Sequence, residues 1–240
     1  TCFSCTYRCN RVAEVKDGPF KTNDLYGGPE YETIATFGSY CGVSNMEAII
    51  RANALCNMYG MDTISCGATI AWAMECWKDG KLTVEDTGGL ELNYGDAEMM
   101  VKLTEMIAKR VGFGDLLAEG SKKAAEHIGR KTEDFLITSK GQEAPAHMPQ
   151  VKRSLSVIYA ANPFGADHMS SEHDASYKDY PERMSFIGLN NPQPKRSLNK
   201  EMMRFAMVTQ HVYSAMDSVN VCQFVTDPTG NSTERTSWLS

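Results

Sequence analysis

Three cysteines open this chain in the pattern Cys2-x-x-Cys5-x-x-x-Cys9, and a fourth stands far downstream at Cys222, in the string Met216-Asp217-Ser218-Val219-Asn220-Val221-Cys222. Three clustered thiolates and one remote one complete a four-coordinate metal site, and such a site ties the two ends of the chain to each other. Thiolates are soft donors, so the set selects zinc or an iron-sulfur cluster over calcium or magnesium. The spacing alone leaves zinc and iron open. Secreted chains with eight cysteines read as disulfide frameworks, but no signal peptide opens this sequence, and a clustered C-x2-C-x3-C reads as metal ligation in a chain assigned by default to the cytoplasm.

The rest of the composition is that of a globular protein. The 240 residues, 42% hydrophobic and 22% charged, suffice for one large domain or two modest ones. A formal net charge of −6 argues against nucleic acid and anionic membrane as partners. No apolar run approaches the roughly 20 residues needed to span a bilayer.

Helical periodicity dominates the first half. Ser44-Asn45-Met46-Glu47 has capping-box spacing, and Met46, Ile49, Ala52, Cys56 and Tyr59 follow at helical intervals until Gly60. A second helix is expected after Asp62, through Ile70, Ala73, Met74 and Trp77 to Asp79-Gly80, and a third from Asp96 to Arg110. A fourth is expected from Asp115 to about Ile128. Phe135–Thr138 reads as a short strand or linker, and the Pro145–Pro149 segment excludes regular helix. The boundary is therefore set near Ser139, giving a helical domain over 1–138 with the cysteine motif and a second helical domain over 139–240. In the latter, Leu155–Ala161 is a short apolar run, 179–194 a proline-rich loop, and Leu198–Met216 a long helix. The expected fold class is all-α and multi-helical.

Four further motifs follow the cysteines in order: Gly28-Pro29-Glu30-Tyr31-Glu32, Cys56-Asn57-Met58-Tyr59-Gly60-Met61-Asp62, Gly112-Phe113-Gly114-Asp115-Leu116-Leu117-Ala118-Glu119-Gly120 and Gly165-Ala166-Asp167-His168. With those gaps the chain resembles the tungsten-dependent aldehyde:ferredoxin oxidoreductase family from Cys2 to about Phe224. The resemblance implies the second and part of the third domain of such a protein. An N-terminal pterin-binding domain would precede Cys2, more helical domain would follow, and this stretch alone would not turn over.

The resemblance also implies roles for particular residues. Cys2, Cys5, Cys9 and Cys222 become the ligands of a [4Fe-4S] cluster that relays electrons to ferredoxin or another electron-transfer protein. Asn57, Asp62 and Asp217 fall where the family's Asp-containing motifs hold the two pterins that chelate tungsten, or molybdenum in its place. An ionised Asp suits a pterin edge because it accepts from N–H donors. Here the first of those positions carries the uncharged Asn57, and Asn220-Val221 replaces the family's usual Gly-Leu before the fourth cysteine. Glu32 and His168 match the family's groups beside the metal and are the candidates for proton transfer in oxidising an aldehyde to a carboxylic acid, with Glu30 a weaker candidate than Glu32.

Each position also has a plainer reading. Asp62 serves as a helix N-cap, Glu32 as a paired structural carboxylate, His168 as a satisfied core histidine, and the cysteine set as structural zinc. Cys41, Cys56, Cys66 and Cys76 read as small core residues, with Cys66 the one placed to approach the metal. Glu172-His173-Asp174 reads as a solvated polar loop. Two alternatives to the aldehyde reaction are kept: the tungsten subunit of a class II benzoyl-CoA reductase, and a non-catalytic helical module stapled by zinc.

Overall fold

A computed structural model describes residues 8–226. They form two compact units that divide between Ala146 and His147. Cys2 and Cys5, half of the proposed cluster ligands, lie outside the described residues.

The first unit is helical, and its helices start where short polar side chains can hold the initial backbone N–H groups. After Pro29, α1 (Tyr31–Ile34) runs directly into a π-helical turn (Ala35–Tyr40). The following helix, α2 (Met46–Tyr59), is capped by Asn45, whose side chain accepts from the N–H groups of Glu47 and Ala48; the cap is thus one residue later than the Ser44 expected from the capping-box spacing. It stops at Gly60, which takes the left-handed conformation. Then α3 (Thr63–Lys78) starts behind Asp62, and α4 (Ala97–Lys109) behind Asp96, both as expected. The expected fourth helix is two: α5 (Phe113–Leu117) and α6 (Ser121–Ile128), separated by a turn at 118–120.

Apolar faces of these helices close over one core. Phe37, Ile49, Ala52, Cys56, Ile70, Met74, Met100 and Leu103 are buried together, and Cys41, Cys66 and Cys76 lie among them. Cys66 does not line the cavity described below. Its thiol sits next to Cys56, and a hydrogen bond that it donates to that neighbour, with burial, pushes its pKa well above the ordinary thiol value, so it is held as a small neutral core residue. Against this core stands the only two-stranded sheet among the described residues, β1 (Thr138–Ser139) antiparallel to β2 (Gln142–Glu143). The sheet is fixed by the buried Glu143, whose Oε1 accepts from Thr69 Oγ1 at 3.1 Å and from Ser121 N and Oγ at 2.8 and 2.7 Å. Three donors on one carboxylate oxygen compensate its removal from water.

The second unit has its own core. A helix over the apolar run, α7 (Arg153–Ala161), packs on the long α10 (Lys200–Ser218). The proline-rich stretch is not loop throughout, because Pro181 initiates α9 (Pro181–Phe186) just after α8 (Ser176–Asp179). Tyr177 stacks on Phe205 with ring centroids 4.9 Å apart, and Met184, Leu189 and Met202 surround the pair. Among the described residues no helix is long and apolar enough to cross a membrane.

Candidate functional site

Within the first unit a cavity of about 640 Å³ opens between the 10–12 segment, the turn at 24–28, α1, the end of α2 and the start of α3. That volume is in the range of small-molecule and cofactor sites. Its wall includes Glu32, Asn57 and Asp62, three of the residues singled out by sequence, together with Asn53, Asp24 and Glu30.

Each of these side chains is placed by backbone geometry. Asp62 is the N-cap of α3: Oδ1 accepts from Ile64 N at 3.2 Å and Oδ2 from Ser65 N at 3.0 Å. The carboxylate is thereby fixed at the positive end of a sixteen-residue helix, a position that favours negative charge. The plainer reading of Asp62 as a cap is correct, and a cap at a cavity wall retains lone pairs for a ligand. Asp62→Ala should lower stability by about 0.5–2 kcal/mol, the cost of losing a cap, whereas Asp62→Asn should stay within a few tenths of wild type. Denaturant unfolding of the two variants checks this.

Asn57, on the last turn of α2, donates Nδ2–H to Tyr26 O at 3.0 Å. One of its two amide N–H donors is spent on the turn, which leaves the carbonyl oxygen as an acceptor like the carboxylate of the family motif but without the charge. One helical turn earlier the buried Asn53 donates to Gly27 O at 3.4 Å. Together these two amides fasten the 24–28 turn to α2. Nothing in the apolar periodicity marked Asn53; its signal was a polar residue at a core-facing helical position.

Glu32 is buried in the first turn of α1, and its Oε2 accepts from Ala146 N at 2.8 Å. Glu30, by contrast, is exposed and pairs with Arg11 at 3.5 Å. Of the two carboxylates, Glu32 is thus the buried one and Glu30 the exposed one.

In the second unit, His168 is buried within a group of three imidazoles. His147 stacks on it with ring centroids 4.6 Å apart and an interplanar angle of 25°, and His173 lies 4.5 Å from His147 and 6.0 Å from His168. Lys152 Nζ is 3.1 Å from His147 Nδ1 and 3.0 Å from His173 Nδ1. Burial first, then the neighbouring Lys152 and the other two histidines, bring the pKa of His173 down to about 3. The 172–174 segment is thus not the solvated loop expected. Asp174 is fully buried and accepts from Ser154 N at 2.6 Å and from Ser154 Oγ, while Glu172 binds Arg183 at 2.8 Å and accepts from Tyr213 at 3.1 Å. Sequence reasoning missed His147 and Lys152 altogether.

The remaining predicted residues lie at the end of α10 and near the start of the described chain. Asp217 is exposed on the last turn of α10, and Cys222 is exposed just beyond it. Between them Asn220 takes φ +58°, a left-handed conformation that Asn tolerates better than other side-chain-bearing residues, so this turn has the form a glycine would give it. Cys9 is an exposed thiol in the first unit.

These carboxylates, amides and thiols stand on an all-α, multi-helical scaffold. Residues 1–239 match the family described as aldehyde ferredoxin oxidoreductase, domains 2 and 3, and the chain belongs to that family. It is 31% identical to the tungsten-containing aldehyde ferredoxin oxidoreductase of Pyrococcus furiosus and 33% identical to that of Pyrococcus abyssi, in each case over 94% of this chain and 35% of the relative. It is also 31% identical, over 70% of its length and 28% of the relative, to an aliphatic sulfonate oxidoreductase, WOR-like subunit, of Pyrococcus furiosus. Among solved structures, the active site complex BamBC of benzoyl coenzyme A reductase matches 92% of this chain and 36% of its own with a TM-score of 0.69 and 19% identity, a likeness of fold. The chain spans about a third of the length of the curated relatives it matches.

Proposed function

We propose that this chain is the part of a tungsten bis-pterin oxidoreductase that converts an aldehyde to a carboxylic acid and passes the electrons through a [4Fe-4S] cluster to ferredoxin. The observation that carries the reading is the cavity of the first unit, where Glu32, Asn57 and Asp62, drawn from two separate motifs of the sequence, share one wall.

The donor set fits a pterin. Such a ring presents N–H groups along one edge, and the cavity offers carboxylate and amide oxygens from Asp62 and Asn57 to receive them. Asp217 would serve the second pterin, and Cys2, Cys5, Cys9 and Cys222 the cluster. The bound metal would supply the two-electron redox chemistry, which no side chain can perform. The chain's own residues handle protons. Oxidising RCHO with water to RCOOH releases two electrons and two protons; Glu32, kept from bulk water, takes a proton from the attacking water, and His168 holds the carbonyl oxygen by a hydrogen bond.

The test is turnover by the full-length protein, purified anaerobically from tungstate-supplied cells. Aldehydes should give carboxylic acid with matched reduction of ferredoxin, and aromatic CoA thioesters should give no product. Ring reduction of an aromatic CoA thioester without aldehyde oxidation would replace this reading with the benzoyl-CoA reductase one. Stoichiometric zinc in place of iron would replace it with the zinc-stapled module.

A further inference from the structure

Of the groups around His168, Lys152 is the one whose chemistry admits the fewest arrangements. An ammonium has three N–H donors and no acceptor, whereas each neutral imidazole has one donor nitrogen and one acceptor nitrogen. Lys152 Nζ faces Nδ1 of His147 at 3.1 Å and Nδ1 of His173 at 3.0 Å. Both Nδ1 atoms must then carry lone pairs, and both ring protons must sit on Nε2. The other side of His173 agrees independently: its Nε2 lies 3.2 Å from the carbonyl oxygen of His168, which can only accept. His147 is held at two further points, with its ring against His168 and its carbonyl oxygen taking the Tyr159 hydroxyl at 3.0 Å.

We propose that Lys152 is a positioning residue: it fixes His147 and His173 as neutral Nε2–H imidazoles, so that the fixed positive charge beside His168 stays on the ammonium and neither neighbouring ring competes with His168 for a proton. The tautomers follow from the geometry with Lys152 as an ammonium; the consequence for proton transfer rests on the role proposed above for His168. Within the second unit, the charged and titratable groups around the rings are Lys152, His168, the buried Asp174 with its two bonds to Ser154, and Glu172, whose Oε1 accepts the His173 backbone N–H at 3.0 Å and whose charge is paired with Arg183. The depressed pKa of His173 fits this environment. It also carries a sign for stability: between the ordinary histidine value of roughly 6.5 and about 3, the unfolded chain binds a proton that the folded chain refuses, so stability should fall as pH drops through that window.

Two measurements on the full-length protein decide the matter. Neutron diffraction from deuterium-exchanged crystals near neutral pH should show deuterium on Nε2 and none on Nδ1 of both His147 and His173; deuterium on either Nδ1 overturns the proposal. The pH profile of kcat supplies the second. Lys152→Met should move the acid limb upward by about one pH unit, because removing the cation lets the neighbouring rings take protons. Lys152→Arg, which keeps a cationic donor, should restore the wild-type limb. A Lys152→Met enzyme with the wild-type profile, or no rescue by Lys152→Arg, overturns the positioning role. If the full-length protein oxidises no aldehyde, the reaction proposed above fails, and the neutron result still decides for or against the lock.

Discussion

Glu32→Gln in the full-length enzyme is expected to cut kcat by about 10²–10⁴-fold while tungsten and iron contents stay at wild-type levels. A positioned general base contributes on that order. The substitution keeps the side-chain shape, and an amide oxygen can still accept the Ala146 N–H that now binds Oε2 at 2.8 Å, so the fold has little reason to respond. What is lost is the ability to take a proton. Exposed Glu30 cannot substitute, because its carboxylate is paired with Arg11 and solvated. Measuring kcat beside metal content separates the outcomes: near-normal kcat would make Glu32 structural, and loss of tungsten would make it a cofactor-holding group.

Gly114→Val is expected to have the largest effect on stability. A Cβ at position 114 would lie 2.3 Å from the carbonyl carbon of Met106, 2.5 Å from its oxygen and 2.6 Å from Ile107 N. All three are backbone atoms of α4, so no side chain can rotate away, and α5 must lift off the helix that supports it. Overpacking typically costs about 1–3 kcal/mol and more where the neighbour cannot yield; a cost of about 3 kcal/mol or above is expected here, read from the urea midpoint or from failure to accumulate folded protein. A wild-type midpoint would show that α4 and α5 do not meet as described.

What could be read from the sequence, and what could not, divides along physical lines. Local signals were reliable: Asp62 and Asp96 cap the helices they precede because an N-cap is decided by one side chain and the next three N–H groups. The split between α5 and α6 escaped because a turn at 118–120 interrupts apolar periodicity without removing it. The ends of α2 misled in the opposite sense, since Met46 and Tyr59 keep helical spacing yet are exposed, each at an end of the helix beyond the core. The site followed the same rule. Glu32, Asn57 and Asp62 stand in motifs that resemble a known family, and the fold brings all three to one cavity. His147, Lys152 and His173 belong to no such motif; they meet only because the 147–152 and 168–174 segments fold together, a juxtaposition that no spacing along the chain encodes.

The claim that the first-unit cavity holds the pterin cofactor is tested most directly by tungsten and iron stoichiometry in the full-length Asn57→Leu variant. Asn57 is exposed at the end of α2 and makes one bond, to Tyr26 O, so its replacement should leave the helices intact by circular dichroism. Leucine is close to isosteric but offers the cavity no oxygen. The account predicts a several-fold loss of tungsten per chain with about four irons retained, since the cysteine ligands are untouched. Full tungsten occupancy in that variant would contradict it.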